Sequence, residues 1–118
     1  MNIHLLKGKI HRAVVTDASL DYAGSLGIDR NFMRQSGILP YEKILVGNIT
    51  NGNRFETYAI PCPEGSGAIC LNGAAARLGA VGDLVVIMAF CEVPAEEASR
   101  WVPKVITLSE KNTKISVR

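Results

Sequence analysis

The residue types that do chemistry are sparse in this sequence, and the familiar signatures are missing. No HExxH, Gly-rich phosphate loop, GxGxxG or GxSxG occurs, so metallohydrolase, phosphate, dinucleotide and serine-hydrolase chemistry have no anchor. His4 and His11 are the only histidines, with few carboxylates near them for a Ser-His-Asp relay. What remains is a scatter of single residues. Arg54 follows Asn51-Gly52. Its rigid fork suits a carboxylate, a charge-assisted contact of roughly 1.5–3 kcal/mol, although an arginine beside a turn is solvated by default. Tyr58 carries a phenol of reference pKa about 10, protonated at neutral pH and able to donate, although most strand tyrosines simply pack their rings. Lys9 is a second cation or an ordinary snorkelling lysine. Asn72-Gly73-Ala74-Ala75 offers free backbone N–H groups with little side-chain bulk, which suits carboxylate or carbonyl oxygens and equally suits close helix packing. Gly24-Ser25 lies in the run Asp21–Asp29, and a Gly-Ser pair by itself reads as a turn.

The elements that must hold these residues are mostly strands. Residues 5–16 mix β-branched and basic residues without helical periodicity, and Lys7, Lys9 and His11 fall two apart, on one face of a strand. Between Thr16 and Gly27 the composition is that of a turn or irregular loop. Asp29 is an expected helix N-cap with Gly37 as the left-handed stop. Ile44–Thr50 and Arg54–Ile60 are β-rich runs joined by Asn51-Gly52, a strong hairpin signal. A short strand over Ala68–Leu71 leads to Asn72, which is placed to cap a one- or two-turn helix ending at Gly79. Asp83–Val93 reads as a fully buried strand, Pro94–Arg100 as a helical turn, and Val105–Leu108 and Ile115–Val117 as strands near a frayed C-terminus. Several strands with little room for a sandwich point to a mainly β fold, a compact barrel whose closure removes exposed edges.

Length and composition fit one domain over residues 1–118, small enough that an oligomer would cover useful surface. With 47% hydrophobic and 20% charged residues it is an ordinary globular chain. A net charge of +2 is too small for a nucleic-acid binder and sufficient for a small anionic ligand. Cys62, Cys70 and Cys91 are odd in number without CxxC spacing, so neither a disulfide framework nor a zinc site is indicated and a reducing cytoplasm is expected. The N-terminus lacks a signal-peptide pattern, and the apolar run Leu84–Phe90 is far shorter than the roughly 20 residues of a membrane span.

The segment Asp21-Tyr22-Ala23-Gly24-Ser25-Leu26-Gly27-Ile28-Asp29 resembles the processing loop of the pyruvoyl-dependent aspartate α-decarboxylase family. The resemblance extends over the chain, through Gly8–Arg12, Thr50–Ile60, Asn72–Ala76 and Val81-Gly82-Asp83. It implies a six-stranded double-psi β-barrel with short helices, assembled as a homotetramer. It also implies self-cleavage between Gly24 and Ser25. Ser25 Oγ would attack the Gly24 carbonyl, aided by the freedom of a residue without Cβ, and an ester would replace the amide. β-Elimination would then release residues 1–24 from 25–118 and leave a covalent pyruvoyl group derived from Ser25, with no metal and no pyridoxal phosphate. That group would form a Schiff base with L-aspartate and accept the electron pair left as CO2 departs, giving β-alanine for pantothenate and coenzyme A biosynthesis.

By the same resemblance Ser25 and Tyr58 are catalytic, Tyr58 protonating the carbanion. Lys9 and Arg54 hold carboxylates, and Asn72, Gly73, Ala74 and Ala75 bind substrate. Thr57 stabilises the cleavage oxyanion and contacts substrate, while Tyr22 and His11 shape the processing loop or assist the acyl shift. On a regular strand Arg54 and Tyr58 share a face about 13 Å apart at Cα while Thr57 points the other way, so a bulge, a strong twist or a second subunit is expected. Two departures bear on pocket shape and processing: position 47, often Trp in the family, is Gly47, and Leu26 replaces a smaller residue. The competing readings are an uncleaved, non-catalytic barrel serving binding or assembly, and a pyruvoyl enzyme for another amino acid. Two cations favour a dicarboxylate. A maturation helper protein is a further expected partner; nucleic acid and membrane are not.

Overall fold

The computed structural model describes all residues, Met1–Arg118. In chain order the elements are β1 (Asn2–Val14), β2 (Asp17–Ser19), β3 (Ser25–Asp29), α1 (Arg30–Ser36), β4 (Lys43–Asn48), β5 (Arg54–Cys62), β6 (Ile69–Asn72), β7 (Leu84–Pro94), β8 (Lys104–Ser109) and β9 (Lys114–Val117). Two 3₁₀ turns, Gly73–Arg77 and Ala95–Arg100, complete the secondary structure. The strands form one sheet in the order β2-β6-β3-β5-β4-β7-β1-β8-β9.

The run from β2 to β1 in this order closes through one stretch of chain. Val15 and Thr16 join β1 to β2; Val15 N–H donates to Asp83 O at 2.9 Å beside β7, and Thr16 N–H donates to Ile69 O at 2.8 Å on β6. The sheet therefore closes on itself around Ile10, Val15, Leu26, Ile28, Val46, Leu71 and Ile87, all 0% exposed, and closure leaves few free edges. The mainly β architecture with short helices is as expected, but nine strands are present where six were expected. The excess has two sources: the ring strand β1/β2 is interrupted at Val15–Thr16, and the β8–β9 hairpin adds to the side of β1. Asn112 fills the gap beside Val14 as a strand would. Its Oδ1 accepts from Val14 N at 2.8 Å, and its Nδ2 donates to Val14 O and Gly67 O at 2.8 and 3.0 Å. The C-terminus is not frayed: Arg118 N–H donates to Val105 O at 2.9 Å.

α1 follows its local signals. Asp29 accepts from Asn31 N at 2.8 Å, Gly37 takes φ +73°, and Ile38 N–H closes on Met33 O at 3.0 Å. The helix packs so closely on β1 that a Cβ at Gly8 would lie 1.9 Å from Ser36 O. Asp29 also accepts from Gly65 N and Gly67 N at 3.3 and 2.8 Å, holding the loop after β5.

Three local expectations change. The stretch Thr16–Gly27 holds β2 and the start of β3, so Ser25 opens a strand instead of lying in a loop. All five residues of β3 are buried, because β5 runs parallel on one side and β6 antiparallel on the other, and this burial removes the alternation that marks a strand in sequence. β7 is not fully buried: Val85, Ile87 and Ala89 face the core while Phe90 is exposed. The turn after Asn72 is 3₁₀ and takes no cap from the Asn72 side chain.

Candidate active site

Side chains paired on neighbouring strands point to the same face of a sheet, so the register assigns a face to each candidate residue. Leu26 pairs with Ala59 on one side and Leu71 on the other, and all three are fully buried, which makes theirs the inner face. One residue back along each ladder stand Ser25, Tyr58 and Asn72, on the outer face of three adjacent strands. Farther along β5, Arg54 pairs with Gly47, which pairs with Val86; Lys9 pairs with Met88 two residues on. Lys9, Arg54, Tyr58, Ser25 and Asn72 thus all belong to the outer face. Thr57 pairs with Ile44, 1% exposed, and belongs to the inner one. The β4–β5 ladder runs from Lys43 and Tyr58 to Gly47 and Arg54 without a shift. β5 therefore has no bulge against β4, and of the three expectations for Thr57 that one fails.

Around Ser25 the chain is crowded. Ser25 is 3% exposed, and its Oγ lies 3.5 Å from Asn72 Nδ2. Gly73 takes φ +62°; a Cβ there would sit 2.7 and 2.8 Å from Gly24 Cα and N and 3.1 Å from Tyr22 O. The backbone of Tyr22–Gly24 thus rests directly on the backbone after Asn72, a closeness only glycine permits. At Gly24 itself a Cβ meets nothing within 4 Å, so no packing contact requires glycine there. Ala75 is buried behind the turn and Ala74 is exposed on it.

Lys9 and Arg54 meet in a second place. They line a pocket of about 370 Å³ with Gly47, Asn48, Val86 and Met88. Neither cation joins any of the five ion pairs of the molecule. A Cβ at Gly47 would meet only Arg54 Nη1, at 3.7 Å, so the pocket is open on that side. Three residues of β5 lie between Arg54 and Tyr58, a Cα spacing of about 13 Å on a regular strand, so this pocket and Ser25 stand toward opposite ends of β5.

His11 alternates with the buried Gly8 and Ile10 on β1. Burial, then the positive charges of Lys9, Arg12 and Arg118, lower its pKa from 6.5, and its Nδ1 is buried without a partner. Tyr22 is exposed and contributes its backbone to the Gly73 contact. The three cysteines are free thiols. Cys62 lies against Cys70 above Gly27, and burial together with that neighbour pushes its pKa up to about 11, which leaves it protonated. The sequence reading passed over Asn48, which is buried under the β4–β5 connection. Its position at a strand end before Asn51-Gly52 was the available signal.

Two unpaired cations across an open pocket suit a small dicarboxylate, and a buried serine following an exposed glycine suits acyl transfer onto the hydroxyl. These groups all stand on the outer face of a β-barrel. The chain belongs to the aspartate decarboxylase family, whose pattern matches residues 1–115. It is 57% identical over 113 residues to aspartate 1-decarboxylase of Campylobacter jejuni subsp. jejuni serotype O:6, covering 96% of this chain and 89% of that one. It is 52% identical over 118 residues to the protein of that name in Carboxydothermus hydrogenoformans, covering 100% and 93%. For the protein of that name in Thermoanaerobacter pseudethanolicus the identity is 51% over 117 residues, covering 99% and 100%.

Proposed function

We propose that this chain is the precursor of an L-aspartate decarboxylase that processes itself at Gly24-Ser25 into residues 1–24 and 25–118. The supporting observation is the contact between Gly73 and Gly24 beside a buried Ser25 that faces the Asn72 amide. Contact on one side restrains the Gly24 backbone beside Ser25, and such restraint favours intramolecular addition. Addition of Oγ converts the amide to an ester. β-Elimination then leaves Gly24 as a free carboxylate and residue 25 as dehydroalanine, and water replaces its nitrogen, released as ammonia.

The resulting pyruvoyl group fits these residues: it needs no donor set, only a serine at the new N-terminus, and supplies an electron sink when CO2 leaves. The chain's own residues do the rest. Arg54 and Lys9 hold carboxylate. Asn72 Nδ2 and the backbone of Gly73, Ala74 and Ala75 border the reacting end. The Tyr58 hydroxyl, on the Ser25 face, delivers the proton that makes β-alanine. Thr57 reaches the oxyanion of the cleavage step from the inner face through twist at the strand end or from a second copy.

Arg54 and Tyr58 stand about 13 Å apart at Cα along β5, with Tyr58 at the Ser25 end, and on this reading a site on the outer face is completed by the pocket of another copy, in keeping with a homotetramer. A helper protein for maturation and a cytoplasmic setting belong to the same reading; no helix is long and apolar enough to cross a membrane. The deciding experiment is intact mass of purified protein. Two species, residues 1–24 and a residue-25–118 chain lacking its amino group, are expected. A single full-length species after prolonged warm incubation overturns the reading.

A further inference from the structure

We infer that Asn48 and Asp83 are positioning residues that aim Arg54 at its carboxylate through the tip of the β4–β5 hairpin. The inference rests on the reading of Arg54 above and adds how its direction is set. Arg54 has no side-chain partner to orient it, so its aim comes from the backbone that delivers it. That backbone is fastened by a network of amides. Leu78 O accepts from Asn48 Nδ2, Asn51 Nδ2 and Asn53 Nδ2 at 3.4, 3.0 and 3.2 Å. Asn48 Oδ1 accepts from Thr50 N and Asn51 N at 2.9 and 3.1 Å, and Asn51 Oδ1 accepts from Asn53 N at 2.9 Å. Asn53 precedes Arg54, and its carbonyl accepts from Asn48 N at 2.7 Å.

The network is anchored at Asp83, whose Oδ2 accepts from both Asn48 Nδ2 and Ala80 N at 2.9 Å. Thr50 Oγ1 accepts from Leu84 N at 2.9 Å, which ties the same loop to the start of β7. Asn48 is 4% exposed, so its amide has no water to fall back on. Gly79 makes room for it: a Cβ there would lie 3.0 Å from Asn48 Nδ2 and 3.4 Å from Asp83 Oδ2. A five-residue connection that would otherwise move freely is held on one carbonyl and one carboxylate, with Arg54 at its exit.

The test is a cycle of KM and kcat measurements on processed protein. Asp83→Ala and Asn48→Ala should raise the KM for L-aspartate about tenfold with kcat within about twofold, as loss of ground-state positioning does. Asp83→Asn keeps an oxygen for Asn48 and Ala80 and should restore KM. Should either alanine variant fail to fold, Asn51→Ala, which removes an exposed member, should raise KM about threefold in the same sense. In an Arg54→Ala background, Asp83→Ala should add nothing further. Asn112→Ala, which loosens the barrel away from the hairpin, should leave KM unchanged. If Asp83→Ala raises KM by the same factor with and without Arg54, or lowers kcat instead, the positioning role is wrong. If Arg54→Ala alone leaves KM unchanged, the carboxylate role of Arg54 is wrong and the inference falls with it.

Discussion

Gly73→Ala tests whether the contact on Gly24 serves self-processing. The added Cβ would sit 2.7 Å from Gly24 Cα and 2.8 Å from Gly24 N, where carbon contacts normally lie about 3.5–4.0 Å apart. One backbone must therefore retreat by roughly 1 Å. The left-handed conformation at φ +62° costs a non-glycine residue a further 1–2 kcal/mol or so. Gly24 has open space around it, so the loop can yield and the fold survives, with a melting temperature lower by a few degrees. The same retreat shifts the Gly24 backbone beside Ser25. A displacement of about 1 Å costs on the order of 100-fold in an intramolecular reaction, or about 2.7 kcal/mol of barrier. The assay is a time course of freshly purified precursor followed by intact mass, with circular dichroism to establish folding. Gly24→Ala meets no neighbour and should process with little change. Folded Gly73→Ala that processes at the parental rate would refute the argument, as would a larger defect in Gly24→Ala.

Ser25→Ala should abolish both cleavage and decarboxylation yet cost under about 1 kcal/mol of stability, since its hydroxyl makes only the long contact to Asn72; any splitting of this variant would assign the nucleophile elsewhere. Tyr58→Phe should process normally and lose roughly 100-fold in turnover, whereas Thr57→Val should fail first at cleavage; normal turnover in processed Tyr58→Phe would mean that another group delivers the proton. Burial, more than the neighbouring cations, lowers the pKa of His11 from its ordinary value of 6.5. On acidification through that value the unfolded chain takes up a proton the folded chain refuses, so stability is present above pH 6.5 and declines below it. His11→Gln should flatten that decline in melting temperature, and an unchanged slope would exonerate the residue.

What could be read from the sequence is what is decided locally. Asp29 and Gly37 bracket α1 because a cap carboxylate and a left-handed stop act within one helical turn. The β4–β5 hairpin was legible because Asn51-Gly52 sits between two alternating runs, although the connection runs from Ile49 to Asn53. β3 was not legible. Its partners lie more than thirty residues away on β5 and β6, and a strand covered on both sides has no polar face to announce it. Gly27 shows the same limit: a Cβ there would meet Cys62 Sγ at 2.8 Å and Cys70 Cβ at 3.2 Å, a constraint imposed by two strands distant in sequence. Asn112, standing in for a strand at Val14, reads in sequence as an ordinary turn residue.

For the site the division falls between residue type and residue face. The family resemblance supplies the types, and strand alternation alone puts Arg54 and Tyr58 on one side with Thr57 opposite. Alternation does not say which side is inward; that follows from Leu26, Ala59 and Leu71 being buried, with Leu26 paired to both of the others. Once the inner face is known, Lys9, Arg54, Tyr58, Ser25 and Asn72 follow to the outer one by counting along ladders. On the proposed reading Ser25 is already buried by its own chain at 3% exposed, whereas Tyr58 on the same face is 38% exposed and is not covered by closing the core. On that reading the cover for Tyr58 comes from outside the barrel, and the unbroken β4–β5 ladder removes the local bulge that would turn Thr57 toward Tyr58. On the proposed reading, cover over Tyr58 and the approach of Thr57 to Ser25 call for twist at the end of β5 and for a neighbouring copy. Dilution to monomer should therefore abolish turnover before it unfolds the barrel, and full activity in a monomer would contradict the argument.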